Sequence, residues 1–528
     1  MSKFCVGNTA RRAVAQYAAT ALSSPVQTFI VLPSRPIHRG YAGKGCMKLA
    51  SMMILFCVAT AIASRAQTFT SLLDFNGPDG ANPWYGTLVQ GLDGNFYGTT
   101  NYGGANNAGT VFKMTPTGAL TTLYDFCSQA NCADGEYPQS GLVMGTDGNF
   151  YGGTQYGGTN CAVQSDCSTL FKVTPEGQLT TLDTLCINGV SCTEGVYPNT
   201  MILGTDGNFY GTTYAGGVYG GGTVFKMTPQ GTVTYIYSFC AQSNCADGSS
   251  PLDALVQASN GNFYGTTWSG GNCPPYYGCG TIFEITPAGK FTLLFSFTPS
   301  TLAGTNPYAP LVQGRDGNFY GTANTDGIFK MTPNGKVTNL YTLCSLPNCA
   351  DGELPYAGLI QATDGNFFGT TYRGGANSSG GTIFEITSKG QLTTLYSFCS
   401  QTNCADGAGP LAGLLQATNG TFYGTTTYGG TVTCSFSQCG NAFSLSLGLA
   451  PFVATVPTAG AVGTSVTIMG NHLTGTTGVT FNGTAASFTV VSSTEITATV
   501  PAGATTGRVK VEVPNGTLKG NAAFRILK

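Results

Sequence analysis

The sequence predicts an all-β protein: a seven-bladed β-propeller closed by an N-terminal strand and followed by a separate β module. Three observations predict it. A D-G-N-F-Y-G-T-T segment at 93–100 returns, with small changes, at Asp147, Asp206, Asn260, Asp316, Asp364 and Asn419. Its central glycines (Gly94, Gly148, Gly207, Gly261, Gly317, Gly365 and Gly420) lie 54, 59, 54, 56, 48 and 55 residues apart, and a period of that size over seven copies marks a repeat architecture. Each copy carries strand-like runs joined by tight-turn signals. Counted along the chain, those runs come out one short at the end and one over at the start.

Composition agrees. The 528 residues are 42% apolar and 9% charged, with 76 Gly, 26 Tyr and 31 Phe, a bias toward short strands and tight turns. Aromatics this plentiful with a small net charge argue against disorder. In the second repeat, 141–144 reads as a first strand, 149–154 as a second, 170–174 as a third and 178–185 as a fourth. T-D-G and P-E-G lie at the hairpin turns, where Gly supplies the positive φ that other residues resist. The inner runs are apolar on both faces, as in sheets packed between neighbouring sheets. The fourth run occurs six times after residue 86, at 119–126, 178–185, 232–239, 290–297, 336–343 and 391–398. The missing copy is at the start, 68–75, so this strand is expected to complete the last blade and remove its open edge.

Residues 1–66 hold no Asp or Glu and eight Lys or Arg. Within them Lys48, an apolar run at 49–63 and Ser64-Arg65-Ala66 describe a secretory signal cut after Ala66. Residues 1–46 then read as an extension outside the protein proper, 47–66 as the signal and Met47 as the true start. The apolar run is short for a membrane span, and none is expected in the mature chain. Taking those eight basic residues from the chain's 22, against 24 acidic ones, leaves a net charge near −10, which argues against nucleic acid as a partner. The address expected is secreted or cell-surface, and the state monomeric.

Sixteen cysteines remain, in close pairs: Cys127 with Cys132, Cys161 with Cys167, Cys186 with Cys192, Cys240 with Cys245, Cys273 with Cys279, Cys344 with Cys349, Cys399 with Cys404 and Cys434 with Cys439. Local pairing in an exported chain reads as disulfides. Zinc needs four ligands, whereas each loop offers two thiols and the mature chain one histidine, His472. Rings this small contribute about 2 kcal/mol each, enough to pin loops.

The order G-x-D-G-N-F-Y-G-T-T, Y-G-G, G-T-V-F-K-M-T-P-x-G and T-T-L-Y-S-F over 67–447 resembles the GloVer-type tandem repeat of bacterial surface proteins. That resemblance implies export and a propeller-like form, with no activity attached. A weaker likeness is to streptogramin-lyase-type and two-component-regulator propellers. From 451 the period stops and seven short strands are expected. Gly463-Thr464-Ser465-Val466-Thr467-Ile468, Val479-Thr480-Phe481-Asn482-Gly483 and Val500-Pro501-Ala502-Gly503 resemble an IPT/TIG domain, which implies an immunoglobulin-like sandwich over 451–528, a spacer or binding module in exported bacterial proteins.

An antiparallel meander puts the T-D-G and T-P-x-G turns on one face and every long loop on the other. The loop face would carry all the paired cysteines and many aromatics. Trp84, Tyr102, Tyr156, Trp268, Tyr276, Tyr277, Tyr372 and Tyr428 are the ligand-binding candidates, with Tyr137, Tyr197, Tyr308 and Tyr356 beside them. Rigid loops bearing aromatics suit sugar rings; packing between blades is the competing use. Gln90, Gln257, Gln313, Gln361 and Gln416 recur in the first strand, to line a channel or to bond within the core. Asp93, Asp147, Asp206, Asp316 and Asp364 read as turn aspartates. Asp134, Asp247, Asp351 and Asp406, in C-A-D-G, read as turn residues with calcium as the sharper alternative; otherwise no cofactor is expected. A polysaccharide hydrolase or lyase would need carboxylates such as Glu136, Glu194, Asp253 and Glu353. A histidine base or a Ser-His-Asp triad is excluded, because the repeats contain no His. A non-catalytic binding or adhesion protein recognising carbohydrate or another surface polymer is therefore expected, with a purely structural role as the further alternative.

Overall fold

A computed structural model describes residues 67–159, 161, 167–186, 192–273, 278–301, 303–377, 380–434 and 439–527. The extension and signal expected over 1–66, and the candidates Tyr276 and Tyr277, lie outside the described residues. The described chain is all-β apart from four single 3₁₀ turns, such as Ala130–Cys132. No helix among the described residues is long and apolar enough to cross a membrane.

The first repeat shows why these residues form a sheet. The N-terminal strand β1 (Thr68–Asp74) is set aside for the end of the chain. Then β2 (Val89–Gln90), β3 (Phe96–Thr100), β4 (Thr110–Met114) and β5 (Leu120–Asp125) pair antiparallel in that order. Gly98 at the centre of β3 is required by packing: a Cβ there would sit 2.6 Å from the Phe112 ring, and the ring fills the space that Gly leaves. The two aromatics before that glycine point to opposite faces of β3, as alternation along a strand demands. Tyr97 stacks on Phe150 of the next repeat at 4.0 Å.

That contact repeats through the chain: Tyr151–Phe209, Tyr210–Phe263, Tyr264–Phe319, Tyr320–Phe367 and Phe368–Phe422 have ring centroids 3.9–4.5 Å apart. The seventh pair, Tyr423 on Phe96 at 4.2 Å, returns to the first repeat.

Residues 68–446 form seven antiparallel sheets. Six have four strands. The third repeat adds Val196–Pro198, pairing with Phe209–Ala215, to make five, an addition the sequence did not signal. First strands are only two residues long, shorter than the 141–144 run expected, because only Val143–Met144 pairs before the turn. The N-terminal strand expected to join the last sheet does so. β1 pairs with Asn441–Ser446, Thr68 opposite Ser446 and Asp74 opposite Asn441, as the outer strand of the last sheet. Phe69 then lies flat on Tyr396 at 3.7 Å.

Beyond residue 450, Ala454–Val456, Ser465–Met469, Glu495–Thr499 and Phe488–Val490 make one sheet; Thr484–Ala485, Gly478–Phe481, Val509–Val513 and Gly516–Lys519 make a second. Ala459–Ala461 and Arg525–Leu527 form a parallel pair. Ten strands thus stand where seven were expected. Val466, Ile468, Phe481, Ile496, Val511 and Phe524 fill the space between the sheets.

This C-terminal segment sits against the tight-turn ends of the repeats. The Thr494 hydroxyl donates to the Leu92 carbonyl at 2.7 Å, and the Arg525 guanidinium donates to the carbonyls of Ala258 and Ser259 at 3.0 Å and to the Thr205 hydroxyl at 2.9 Å. Arg315 donates to Asn521 Oδ1, and Asn521 Nδ2 to the Gln361 carbonyl.

Candidate functional site

The two faces of the repeats differ in what their polar groups do. In the tight turns, Asp93, Asp206 and Asp316 each accept hydrogen bonds from the Asn two residues on and the Tyr four residues on, and pair with Lys113, Lys226 and Lys330 at 2.6–2.9 Å. Burial alone would raise these carboxyls. The lysine and asparagine hydrogen bonds outweigh it, leaving Asp93 and Asp206 below the ordinary range and Asp316 at about 2. The fourth repeat moves the acid to the other position: Asn260 replaces the aspartate, Glu284 the lysine, and Glu284 accepts from Tyr264 and Asn262.

The glutamines are staples between neighbouring sheets. Backbone N–H groups of Thr205, Ser259, Arg315 and Thr363 donate to the side-chain oxygens of Gln257, Gln313, Gln361 and Gln416, each bond crossing from one repeat's turn to the next repeat's first strand. Thr418 N–H donates to Gln90 in the same way, from the last repeat back to the first, at 2.9 Å. Core hydrogen bonding, one of the two roles expected of these residues, is what the side-chain oxygens do.

On the opposite face all eight cysteine pairs are bridged, each cysteine to its near neighbour in the chain. Cys127 is joined to Cys132, Cys161 to Cys167, Cys186 to Cys192 and Cys240 to Cys245. Further along, Cys273 is joined to Cys279, Cys344 to Cys349, Cys399 to Cys404 and Cys434 to Cys439. Of these, Cys167, Cys186, Cys279 and Cys439 are themselves buried, so their bridges anchor the loops into the sheets beneath. The C-A-D-G aspartates are wholly buried and hold the loops from within. Asp351 accepts from Tyr341 OH, Ser345 N–H and Oγ–H, and Leu346 N–H; Asp134, Asp247 and Asp406 repeat the arrangement. Both carboxylate oxygens face protein donors, which gives them the turn role. Burial works to raise the Asp351 and Asp406 carboxyls, but these donors bring both below the ordinary range.

Between these loops, a rim segment precedes each first strand. Asn82, Tyr137, Tyr197, Ser250, Asn306 and Leu354 each have φ of 51–57° and each stands before a proline; in the seventh repeat Gly409 takes the position. Left-handed backbone is rare for non-glycine residues and disfavoured before proline, at a cost of roughly 1–3 kcal/mol per position. The strain re-aims the residues that follow. Three places on stand Tyr85, Ser140, Thr200, Asp253, Ala309, Ala357 and Ala412. Threonine hydroxyls of the preceding repeats fix this register: Thr99 donates to the Ser140 carbonyl, Thr212 to Asp253, Thr266 to Ala309, Thr322 to Ala357 and Thr370 to Ala412.

Four of these rim residues, Tyr85, Ser140, Thr200 and Asp253, line a pocket of about 450 Å³ with Trp84, Gln139, Tyr156, Tyr197, Asn199, Tyr214, Trp268 and Tyr308. Tyr308 OH donates to Tyr85 OH at 3.0 Å, joining the first repeat to the fifth. Ring contacts run on either side: Tyr85–Trp84–Tyr102–Tyr137–Tyr156–Tyr197–Tyr214 one way and Tyr308–Tyr356–Tyr372 the other, with centroids 5.0–6.4 Å apart. Among the candidates, Trp84, Tyr156 and Trp268 line this pocket. Tyr102 and Tyr428 line an adjoining depression with Trp84, and Tyr372 belongs to the string of rings. Tyr85, Tyr214, Gln139 and Asn199 were missed. The signal for Tyr85 was present in the repeats themselves, at a position that is otherwise Ser, Thr, Ala or Asp.

Asp253 is the one acid lining the pocket among the described residues. Burial pushes its carboxyl up to about 7, opposed only by the Ala254 N–H that donates to Oδ1 at 2.6 Å. Burial likewise raises the Tyr85 and Tyr308 phenols, and the Asp253 charge adds to both shifts. The other candidate acids lie elsewhere: Glu136 and Glu353 against Cys132 and Cys349, and Glu194 accepting from Cys186 N–H.

Fold and site together define an all-β tandem-repeat protein with a satisfied turn face and a pocketed, aromatic loop face. The model of the Gloeobacter/Verrucomicrobia repeat matches residues 58–191, 134–327 and 275–491, and the chain belongs to that family. No curated protein matches it in sequence. Among solved structures, it is similar to a fungal alcohol oxidase of the AA5 family in complex with copper, at 12% identity over 87% of this chain and 99% of that one (TM-score 0.49). It is also similar to the extracellular domain described as part of a hybrid two component system of B. thetaiotaomicron, at 10% identity over 76% of this chain and 45% of that one (TM-score 0.46). A gluconolactonase of Xanthomonas campestris is similar at 11% identity over 72% and 99% (TM-score 0.36). At these values none of them bears on the chemistry of this chain.

Proposed function

We propose that the chain is an exported binding or adhesion protein whose seven sheets close into a seven-bladed propeller over 67–447, with an immunoglobulin-like IPT/TIG module over 451–528. The loop face takes carbohydrate or another cell-surface polymer. Closure is supported by the aromatic pair Tyr423–Phe96 and the Thr418-to-Gln90 bond, which join last repeat to first with the same contacts that join neighbours. Export is supported by eight bridges, which persist in oxidising compartments.

The observation that carries the binding reading is the aromatic pocket at the loop face. Its about 450 Å³ is of small-ligand size, and half-buried tryptophan and tyrosine rings offer the flat apolar surface that a pyranose face covers, with Gln139 and Asn199 as polar groups at the edge. A glycan array tests it. Binding is expected, and Trp84→Ala or Trp268→Ala should weaken it by about tenfold or more, as for an aromatic anchor. An array without binders would leave the purely structural role.

Retaining or inverting glycoside cleavage needs a second carboxyl across the scissile bond, and among the described residues Asp253 has none in the pocket. Release of product from a polysaccharide would restore the hydrolase or lyase reading.

A further inference from the structure

The pocket has a feature that neutral sugar binding does not call for. Its one acid, Asp253, has no counter-charge: no Lys, Arg or His among the described residues lines the cavity. Ala254 N–H is the hydrogen-bond donor to its carboxylate, on Oδ1, and none of the described residues donates to Oδ2. The titratable groups facing it across the cavity are all phenols, Tyr85, Tyr156, Tyr197, Tyr214 and Tyr308. The scaffold does not need the acid. Six other repeats place Tyr, Ser, Thr or Ala at the same register position, and the hydrogen bond that fixes that register uses the backbone carbonyl.

A half-buried carboxylate with a single backbone donor and no counter-charge is costly. Every other buried aspartate of the repeating loops has donors on both oxygens. Around Asp253 stand Trp84, Tyr85, Trp268 and Tyr308, and the faces of such rings attract organic cations within about 6 Å, most strongly where water is excluded. Aromatic walls and a single uncompensated carboxylate are the complementary surroundings of an ammonium group.

We propose that the loop-face pocket binds an organic ammonium ion, quaternary or protonated, with Asp253 as its counter-ion and the Trp and Tyr faces as its walls. This rests on the reading of the loop face as a binding face and narrows it: the recognised part of the ligand is a cationic amine, as an amine-bearing surface polymer would present. The cation supplies the charge that the protein lacks. Binding is therefore linked to ionisation of Asp253, whose carboxyl burial has raised to about 7. Below that pH the protonated acid has nothing to offer a cation; above it the ion pair forms.

The test uses the full mature chain and two probes of equal shape, choline and its uncharged isostere 3,3-dimethylbutan-1-ol, titrated by calorimetry. Choline keeps its charge at every pH, so any pH dependence belongs to the protein. Choline is expected to bind about tenfold or more tighter than the isostere at about pH 8. That preference should fall about tenfold or more at about pH 5.5, where the acid is protonated. Asp253→Asn keeps the shape and removes the half-buried charge, so the variant folds, and it should bind both probes equally. Equal binding of the two probes by the unsubstituted protein, or an undiminished choline preference in the variant, overturns the proposal. Neutral glycans retained on the array while choline fails would overturn this inference alone; failure of both would remove the binding face with it.

Discussion

The turn face and the loop face are built from the same repeats, yet they treat polar groups in opposite ways. At the turns of the first, third and fifth repeats each Asp has its Lys partner within the same repeat, and in the fourth Asn and Glu stand in those two places. The C-terminal segment covers that face. On the loop side the scaffold of bridges, buried aspartates and left-handed residues repeats, while the side chains it aims into the pocket differ from copy to copy. Repetition therefore marks what holds the molecule together. Departure from it, at Tyr85 and Asp253 above all, marks what the molecule has been free to use.

The comparison can be broken most forcefully at the seam. Deleting 67–75 strips β1 from the last sheet, removes the half-buried and buried side chains of Phe69, Leu72, Leu73 and Phe75, and uncovers the apolar neighbours they pack on, such as Phe112, Phe398 and Phe443. The expected loss is roughly 5 kcal/mol or more from burial alone, read as a large drop in melting temperature; unchanged melting would mean that the sheets do not depend on one another around a ring.

The next effect separates the faces by pH. Asp253 has its folded pKa raised from 3.8 to about 7. Its contribution to stability is intact below pH 3.8 and is lost as pH rises through 7, because the unfolded chain releases that proton first. Asp253→Asn should therefore be the more stable protein at about pH 8, by roughly 2–4 kcal/mol, and no more stable at about pH 3.5. Denaturant melts at the two pH values check it, and a pH-independent difference would refute it.

Smaller is the loss expected from Asp351→Ala, about 2 kcal/mol, because Tyr341, Ser345 and Leu346 are left with unpaired donors. Hydrogen exchange should quicken in residues 344–352 and not in the turns opposite. Least is Lys330→Met, below about 1 kcal/mol, since the Asp316 pair is partly exposed. A large effect there would mean that the turn face is less self-sufficient than its repetition implies.

What could be read from residues alone followed from distance along the chain. The period, the surplus strand at 68–75 and the cysteine pairs five or six residues apart are local or periodic signals, and the observed pairings match them. The two-residue first strands were overestimated because an apolar run does not reveal where its hydrogen bonds stop. The fifth strand at Val196–Pro198 arises where the third repeat departs from the common loop. The pocket was out of reach for another reason. Tyr85 and Tyr308 are 223 residues apart, and no periodic pattern states that two side chains from different repeats lean toward one another. Of the aromatic candidates, Trp84, Tyr156 and Trp268 line one pocket, and which rings share a cavity depends on that convergence.

The C-terminal segment also decides how a ligand can travel. Val456, Pro457, Thr458 and Met469 meet Val89, Val143, Leu203 and Leu415 around a small cavity at the turn end of the first strands. The C-terminal segment thus stands across the turn end of the proposed ring. A long polymer has no exit there and so has no way to thread through. Only a tip, a branch or a pendant group can dip in, and it must back out by the mouth it entered.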